Sequence, residues 1–159
     1  MKLYEIAEHN FKVQIQGIED NDEHAYLQKV AEFLGSTLQI NKPVIVSFNP
    51  PYDLDKTQEG ATLAVGENPN KIFIMIERNN FSTGDKVRIL SHEFVHAQQI
   101  SRGDLRILNF SDGKISGKWK DEGFDDMRYS RSNPWENEAH EREKELRRLV
   151  IKEIGNFSK

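Results

Sequence analysis

Hydrophobic and polar residues alternate in the first part of the chain, and this alternation predicts a strand. Phe11, Val13 and Ile15 stand at every second position, so they share one face of an extended segment. Two later runs, Val44 to Phe48 and Ile72 to Ile76, are short and rich in β-branched residues, which is typical of strands. The second run is apolar at every position, so we expect both of its faces to be covered.

Two turn signals predict hairpins. A polar segment with Asn and Pro separates Thr62 to Val65 from Ile72 to Ile76, so these two segments are expected to pair. An Asp-Gly turn separates Arg106 to Phe110 from Ile115 to Lys120, and Asp-Gly favours a tight turn between antiparallel strands. Trp119 is expected on the buried face of this second hairpin.

Apolar residues three and four positions apart predict helices between and after these strands. The first helix is expected to start at the Asp20 cap and to end at Gly35, and the second to start near Thr83 and to end before Gly103. A third begins at Asn133-Pro134-Trp135-Glu136, where a cap asparagine precedes a proline at the first helical position. It is expected to reach about Ile154.

Length, composition and charge narrow the classes of protein. The 159 residues suit one α+β domain, residues 1–159, with a small mixed or antiparallel sheet packed against helices. The net charge of −4 argues against nucleic acid as a partner. No apolar run approaches the roughly 20 residues of a membrane span, and the N-terminus lacks the apolar core of a signal peptide. We therefore expect no membrane partner and a cytoplasmic location.

The chemistry centres on His92-Glu93-Phe94-Val95-His96 within the second predicted helix. Histidines four residues apart project from one face of a helix, about one turn apart, so both imidazoles can reach one metal ion. Glu93 lies at the edge of that face and is the candidate general base for a metal-activated water. The alternative is a chance polar turn, but Ile89 and Ile100 flank the histidines, and a solvated turn would lack such apolar neighbours. The chain has no cysteine, so any zinc must be held by histidine and carboxylate.

A catalytic zinc generally has three protein ligands and a water, so a third ligand is needed. On the C-terminal helix, Glu138 falls on or beside the apolar face, whereas Glu136 and His140 point away from it. A carboxylate that faces a core is costly unless it is paired or bound to metal. Glu138 is therefore the candidate third ligand. The alternative is an ion pair with Arg142 one turn further on.

A His-Glu-x-x-His helix followed by a glutamate on a later helix resembles the gluzincin group of zinc metallopeptidases. The segment Tyr129 to Glu141 also looks like short gluzincin-type proteins that are often encoded by phages or prophages. The resemblance implies a minimal zincin-like fold, one Zn²⁺ per chain, and peptide-bond hydrolysis by metal-activated water. It implies His92, His96 and Glu138 as metal ligands and Glu93 as the catalytic base, with a protein or peptide as substrate. If the protein is phage-encoded, it could be virion-associated.

Other zincin patterns fit less well. The extended metzincin pattern needs Gly at position 99 and His at position 102, where this chain has Gln99 and Arg102. Tyr129 and His140 are candidates to stabilise the oxyanion of the transition state, although no motif position fixes either of them. An aspartate as third ligand would have to come from one of four residues with poorer local context: Asp104, Asp121, Asp125 and Asp126.

Two classes of function remain open. The first is a zinc-dependent endopeptidase or a narrowly specific processing protease, for which a transcriptional repressor is one conceivable substrate. The second is a catalytically silent protein that keeps the zincin fold as a structural or interaction component, for example of a phage. Glu93 disfavours the second class, because a structural metal site has no use for a base.

Overall fold

The computed structural model describes residues 12–48, 59–77, 81–111 and 114–158. Phe11 and the Asp-Gly turn at 112–113, both used in the sequence predictions, lie outside these ranges. The described residues form an α+β structure with three helices and two small sheets, so the predicted fold class is confirmed. None of the described helices has both the length and the apolar character needed to cross a membrane.

The first sheet has four strands in the order β1-β2-β4-β3. Strands β1 (Val13–Gln16), β2 (Val44–Phe48) and β4 (Ile72–Ile76) run parallel to one another. Strand β3 (Gly60–Leu63) pairs antiparallel with β4 and forms one edge. The predicted pairing of these last two segments is confirmed. The β4 strand is interior because it pairs on both sides, so β1 and β3 are the two edge strands of this sheet.

The prediction that both faces of β4 are covered was wrong. Ile72, Ile74 and Ile76 are fully buried, but Phe73 is 43% exposed. The alternation of buried and less buried residues in β2 and β4 shows that one face of the sheet lies in the core and the other is only partly covered. An unbroken apolar run therefore marks an interior strand here without implying two buried faces.

The second sheet is antiparallel and lies between the second and third helices in the chain. It consists of β5 (Leu105–Ser111), β6 (Lys114–Trp119) and β7 (Glu122–Phe124). The hairpin β5–β6 and the burial of Trp119 were predicted correctly. An isolated parallel bridge between Val65 and Ile107 joins the end of the β3 segment to β5. The two sheets are thereby linked through their backbones.

Three helices complete the described structure: α1 (Asn21–Thr37), α2 (Thr83–Ser101) and α3 (Pro134–Glu153). Asp20 caps α1 by accepting the Glu23 N–H at 2.9 Å, as the sequence predicted. Gly35 does not end the helix. It is buried inside the last turn of α1, which continues to Thr37, so this glycine lies within the helix rather than after its end.

Helix α2 forms the centre of the molecule. Most of its length is buried, including its polar residues, because α1, α3 and strands of both sheets pack against it. Helix α3 packs against α2, and its buried apolar residues are Trp135, Ala139, Leu146 and Val150. This packing brings side chains from two helices that are distant in sequence to one buried place.

The sterically demanding position of Gly17 can be tested by mutation. Gly17, which follows β1, has φ of +88°, and a Cβ there would lie 1.8 Å from the Phe48 carbonyl oxygen. We expect Gly17→Ala to lower the free energy of unfolding by about 1–3 kcal/mol or more, because the backbone strain at positive φ and the overlap of the new Cβ with the carbonyl oxygen act together. Thermal and urea unfolding measure this. Gly123→Ala is the matched control, since a Cβ there meets nothing within 4 Å, and an equal loss in both variants would contradict the explanation.

Candidate metal centre

Helix α2 presents His92, Glu93 and His96 in its buried middle section. The helix starts where the sequence predicted, with the Ser82 hydroxyl accepting the Asp85 N–H at 3.1 Å. The four-residue spacing brings the two imidazoles together, with their Nε2 atoms 3.2 Å apart. Two nitrogen donors therefore point to one place from a single rigid element.

Helix α3 supplies a third donor, which is Glu136. Its Oε2 lies 3.0 Å from His92 Nε2, and its Oε1 lies 3.0 Å from His96 Nε2. The residue is only 7% exposed. His92, His96 and Glu136 thus form a group that could hold a metal ion.

The expectation that Glu138 is the third donor is corrected by this arrangement. Glu138 Oε1 instead accepts hydrogen bonds from Arg102 Nη2 at 2.9 Å and from Gln99 Nε2 at 3.1 Å. With Glu138 set at zero on a helical wheel, the buried apolar residues of α3 lie at about 60° to 120° and Glu136 at about 160°. The two glutamates therefore flank the apolar stripe on opposite sides, and only the packing of α3 on α2 selects between them.

The spacing of the three donors suits a single small cation. Donors about 2.0–2.1 Å from a metal ion at tetrahedral angles stand about 3.3 Å from one another. The observed separations among His92 Nε2, His96 Nε2 and the Glu136 oxygens are 3.0–3.2 Å. Small adjustments of side-chain torsions would bring the three into coordination distance, so the residues fit the metal that the sequence implied.

The remaining ring nitrogens have acceptors that fix the orientation of the imidazoles. His92 Nδ1 lies 3.2 Å from Glu143 Oε2, and His96 Nδ1 lies 2.8 Å from Gln99 Oε1. Gln99 is fully buried, and its amide nitrogen donates to the Trp135 carbonyl at 3.0 Å, which assigns its oxygen to His96. Protons on both Nδ1 atoms leave both Nε2 lone pairs facing the common centre, as in histidine ligands held by outer carboxylates or carbonyls.

The carboxylates give the centre a negative electrostatic potential. Burial raises the pKa of Glu136, but hydrogen bonds with His92 and His96 outweigh it and hold that pKa at about 2. Burial lowers the pKa of His92, while hydrogen bonds with Glu136 and Glu143 raise it to about 10. Both shifts mean that a positive charge between these groups is stabilised. A divalent cation would satisfy the same field.

Glu93 is held beside the centre by the edge strand β3. The Thr62 hydroxyl lies 2.5 Å from Glu93 Oε2, and a Cβ on Gly60 would lie 3.2 Å from Glu93 Oε1. Burial raises the pKa of Glu93, with the nearby His96 and His92 acting in the opposite direction. The acid that the sequence singled out as a base is therefore buried, oriented and adjacent to the donor group.

Tyr129 and His140 also lie at this place. The Tyr129 hydroxyl is 3.4 Å from His140 Nε2, and the His140 ring centre is 4.5 Å from that of His92. The sequence predicts that Glu136 and His140 point away from the apolar face of this helix. In fact Glu136, His140 and Glu143 share one side of α3 within about 60°, and this run of ligand-type side chains is the signal that the sequence reasoning missed.

A cleft of about 500 Å³ leads to these groups, with Glu93, Glu136 and both α2 histidines in its wall. Strand β3 and helix α2 form one side, and the second sheet, the segment before α3 and α3 itself form the other. Its apolar lining includes Leu63, Leu105, Ile107, Phe110, Ile115 and Met127. The centre is therefore buried within the protein yet reachable by a ligand in the cleft.

Comparison of the chain with protein-family models, with curated proteins and with solved structures finds no match. The geometry of the site therefore carries the functional argument.

The identity of the third donor can be tested by metal binding. We expect Glu136→Gln to lower the affinity for a divalent cation by more than the about 10–100-fold typical of an outer partner, because it removes a charged donor. Glu138→Gln, two residues away on the same helix, is expected to change the affinity much less. Titration calorimetry and the metal content after dialysis measure both. Loss of the metal in Glu138→Gln and its retention in Glu136→Gln would contradict this assignment.

The orienting role of Glu143 gives a second prediction. Glu143→Gln weakens the acceptor for His92 Nδ1–H, so we expect it to reduce metal affinity by about 10–100-fold. Glu145→Gln is the control, since Glu145 is an exposed glutamate of the same helix. The midpoint of thermal unfolding, followed as metal is added, reports the difference, because a ligand at 100 times its Kd stabilises the folded state by about 2.7 kcal/mol. An equal metal-dependent shift of the unfolding midpoint in the two variants would contradict the orienting role of Glu143.

Proposed function

We propose that this protein is a zinc-dependent metallopeptidase with a small zincin-like domain. One observation carries the proposal. Two imidazoles from α2 and a carboxylate from α3 converge at separations of 3.0–3.2 Å, and a buried glutamate follows the first of these histidines. The combination of three donors and an adjacent acid matches the requirement of metal-assisted hydrolysis for both a Lewis acid and a base.

The donor set favours zinc, at one ion per chain. Nitrogen and carboxylate ligands in a group of three, with a fourth direction open to the cleft, are the arrangement of catalytic zinc sites, whereas structural sites are usually closed by four ligands. His92, His96 and Glu136 would hold the ion, with Glu143 and Gln99 fixing the two rings. When bound, zinc would lower the pKa of a water molecule toward 7 and polarise the carbonyl of the scissile bond.

Glu93 is the general base in this proposal. Its carboxylate lies between β3 and the donor group, where it can take a proton from the attacking water and deliver it to the leaving amine. A raised pKa suits this role, because a group that must both accept and release a proton works best when its pKa approaches the working pH. The Thr62 hydroxyl keeps the carboxylate in place.

Tyr129 and His140 are proposed to stabilise the oxyanion. Both line the cleft, and their side chains are within hydrogen-bonding distance of each other. A tyrosine hydroxyl or an imidazole N–H that points to the developing negative charge would lower the barrier. Because the Tyr129 side chain is partly exposed, it can turn toward a bound substrate.

A protein or peptide is the proposed substrate. The cytoplasmic location and the phage association stay predictions from the sequence.

The competing class of function, a metal-stabilised structural or interaction protein, would use the same three donors but would not need the buried acid at position 93. The presence of that acid, which accepts a hydrogen bond from Thr62 of β3, supports the enzymatic function over the structural one.

The decisive experiment uses Glu93→Gln in the zinc-loaded protein. We expect the variant to keep about one zinc per chain and to lose peptide hydrolysis by about 10²–10⁴-fold, since only the proton transfer is removed. Hydrolysis of a mixed peptide library, read by mass spectrometry, measures the loss. His96→Ala is the contrasting variant, expected to lose zinc and activity together. Zinc-loaded protein that cuts no peptide would favour the structural class.

A further inference from the structure

Strand β3 has one edge that no described strand covers along Gly60–Leu63. In its pairing with β4, the Glu77 N–H donates to the Glu59 carbonyl at 3.0 Å. Hydrogen-bonded positions alternate along an antiparallel ladder, so the odd-numbered residues of β3 bond to β4. The N–H and C=O groups of Gly60 and Thr62 therefore face the other way.

The two residues that carry these backbone groups lie next to the proposed base. Thr62 contacts the Glu93 carboxylate, and Gly60 approaches it closely. An extended peptide that added to this edge would gain backbone hydrogen bonds and would bring its own carbonyls beside Glu93 and the donor group. The edge of β3 would thus set the path of a peptide that added to it.

The path is closed beyond Leu63. Val65 forms a parallel bridge with Ile107 of β5, and the Gly66 N–H donates to the Ile107 carbonyl at 2.9 Å. Strand β5 therefore takes the place along this edge that the next residues of an added peptide would need. A strand advances about 3.3 Å per residue, so only a few residues fit between Glu93 and the obstruction.

The obstruction is firmly held. Arg106, the residue before Ile107, pairs with Glu67 at 3.0 Å and donates to the Lys120 carbonyl at 2.6 Å. On the other side of the segment, Lys42 Nζ donates to Asn68 Oδ1 and to the Pro69 carbonyl, both at 2.7 Å. Bonds from residues 65–69 to β5 and to Lys42, in the segment before β2, thus hold this part of the chain in place.

We propose that this cleft accepts only a short stretch of substrate, no more than about three residues, on the side of the scissile bond that faces Val65 and Ile107. The substrate class is therefore a peptide terminus, and the enzyme trims short fragments from an end rather than cutting within long chains. This inference rests on the proposed function. It replaces the endopeptidase expected from the sequence with a length-limited peptidase.

The test uses zinc-loaded full-length protein and unstructured peptides of 20 residues or more. Mass spectrometry of early products is expected to show cuts within about three residues of one terminus. Capping the amino end in one set and the carboxyl end in another identifies which end enters the closed side. Early cuts at interior positions, or cleavage of a cyclic peptide at a comparable rate, would overturn the inference and leave the proposed function intact. Zinc-loaded protein that cuts none of the peptides would overturn both.

A variant that opens the closed end gives an independent readout. Gly66→Pro removes the N–H that bonds to Ile107, and proline cannot adopt the φ of +114° found there. We expect it to raise the ratio of interior to terminal cleavage by about tenfold or more, because the Val65–Ile107 junction would no longer exclude longer stretches of substrate. Gly155→Pro is the matched control, because Gly155 also has a positive φ and donates its N–H, to Val150, at the end of α3.

The control is expected to keep the wild-type ratio. Thermal unfolding checks that both variants are folded. A folded Gly66→Pro with the wild-type ratio would overturn the assignment of the length limit to the Val65–Ile107 junction. If that variant does not fold, the peptide series on the unmodified protein decides the question by itself.

Discussion

The burial of the Glu136 carboxylate between two imidazoles is the constraint on which the centre of this structure depends. A buried carboxylate costs several kcal/mol unless it is paired or bound to a cation, and here both oxygens have nitrogen partners at 3.0 Å. These contacts hold only when α3 lies against α2 in one rotation and one axial position. The apolar contacts of Trp135, Ala139, Leu146 and Val150 supply that placement.

The groups around this carboxylate act as one network that extends over several elements. Gln99 joins His96 to the backbone at Trp135 and to Glu138, and Glu138 in turn accepts a hydrogen bond from Arg102. Glu138, which the sequence predicted as a metal ligand, is therefore two hydrogen bonds away from His96 and helps to orient the Gln99 amide that contacts this imidazole. Such outer partners fix the tautomer and the direction of a histidine.

The two sheets contribute differently to the structure around the candidate metal centre. The first sheet supports α2 and places Thr62 and Gly60 of β3 against Glu93. The second sheet, which lies between α2 and α3 in the chain, also lines the cleft and joins β3 at the Val65–Ile107 bridge. The exposed edge of β3 belongs to the first sheet, and β5 of the second sheet covers that edge from Val65 onward. The shape of the cleft therefore follows from how the two sheets meet.

The amino-acid sequence by itself determined the local features: the three helices, the β3–β4 pairing and the β5–β6 hairpin, and the convergence of His92, Glu93 and His96 on one turn. Each depends on residues close in the chain, where spacing, caps and turn residues act directly. Only the tertiary structure decided that Glu136 rather than Glu138 faces the histidines, that one face of β4 is partly open, and that β5 ends the β3 edge. These depend on the rotation of α3 and on the docking of two sheets, which arise from packing between segments that are distant in the sequence.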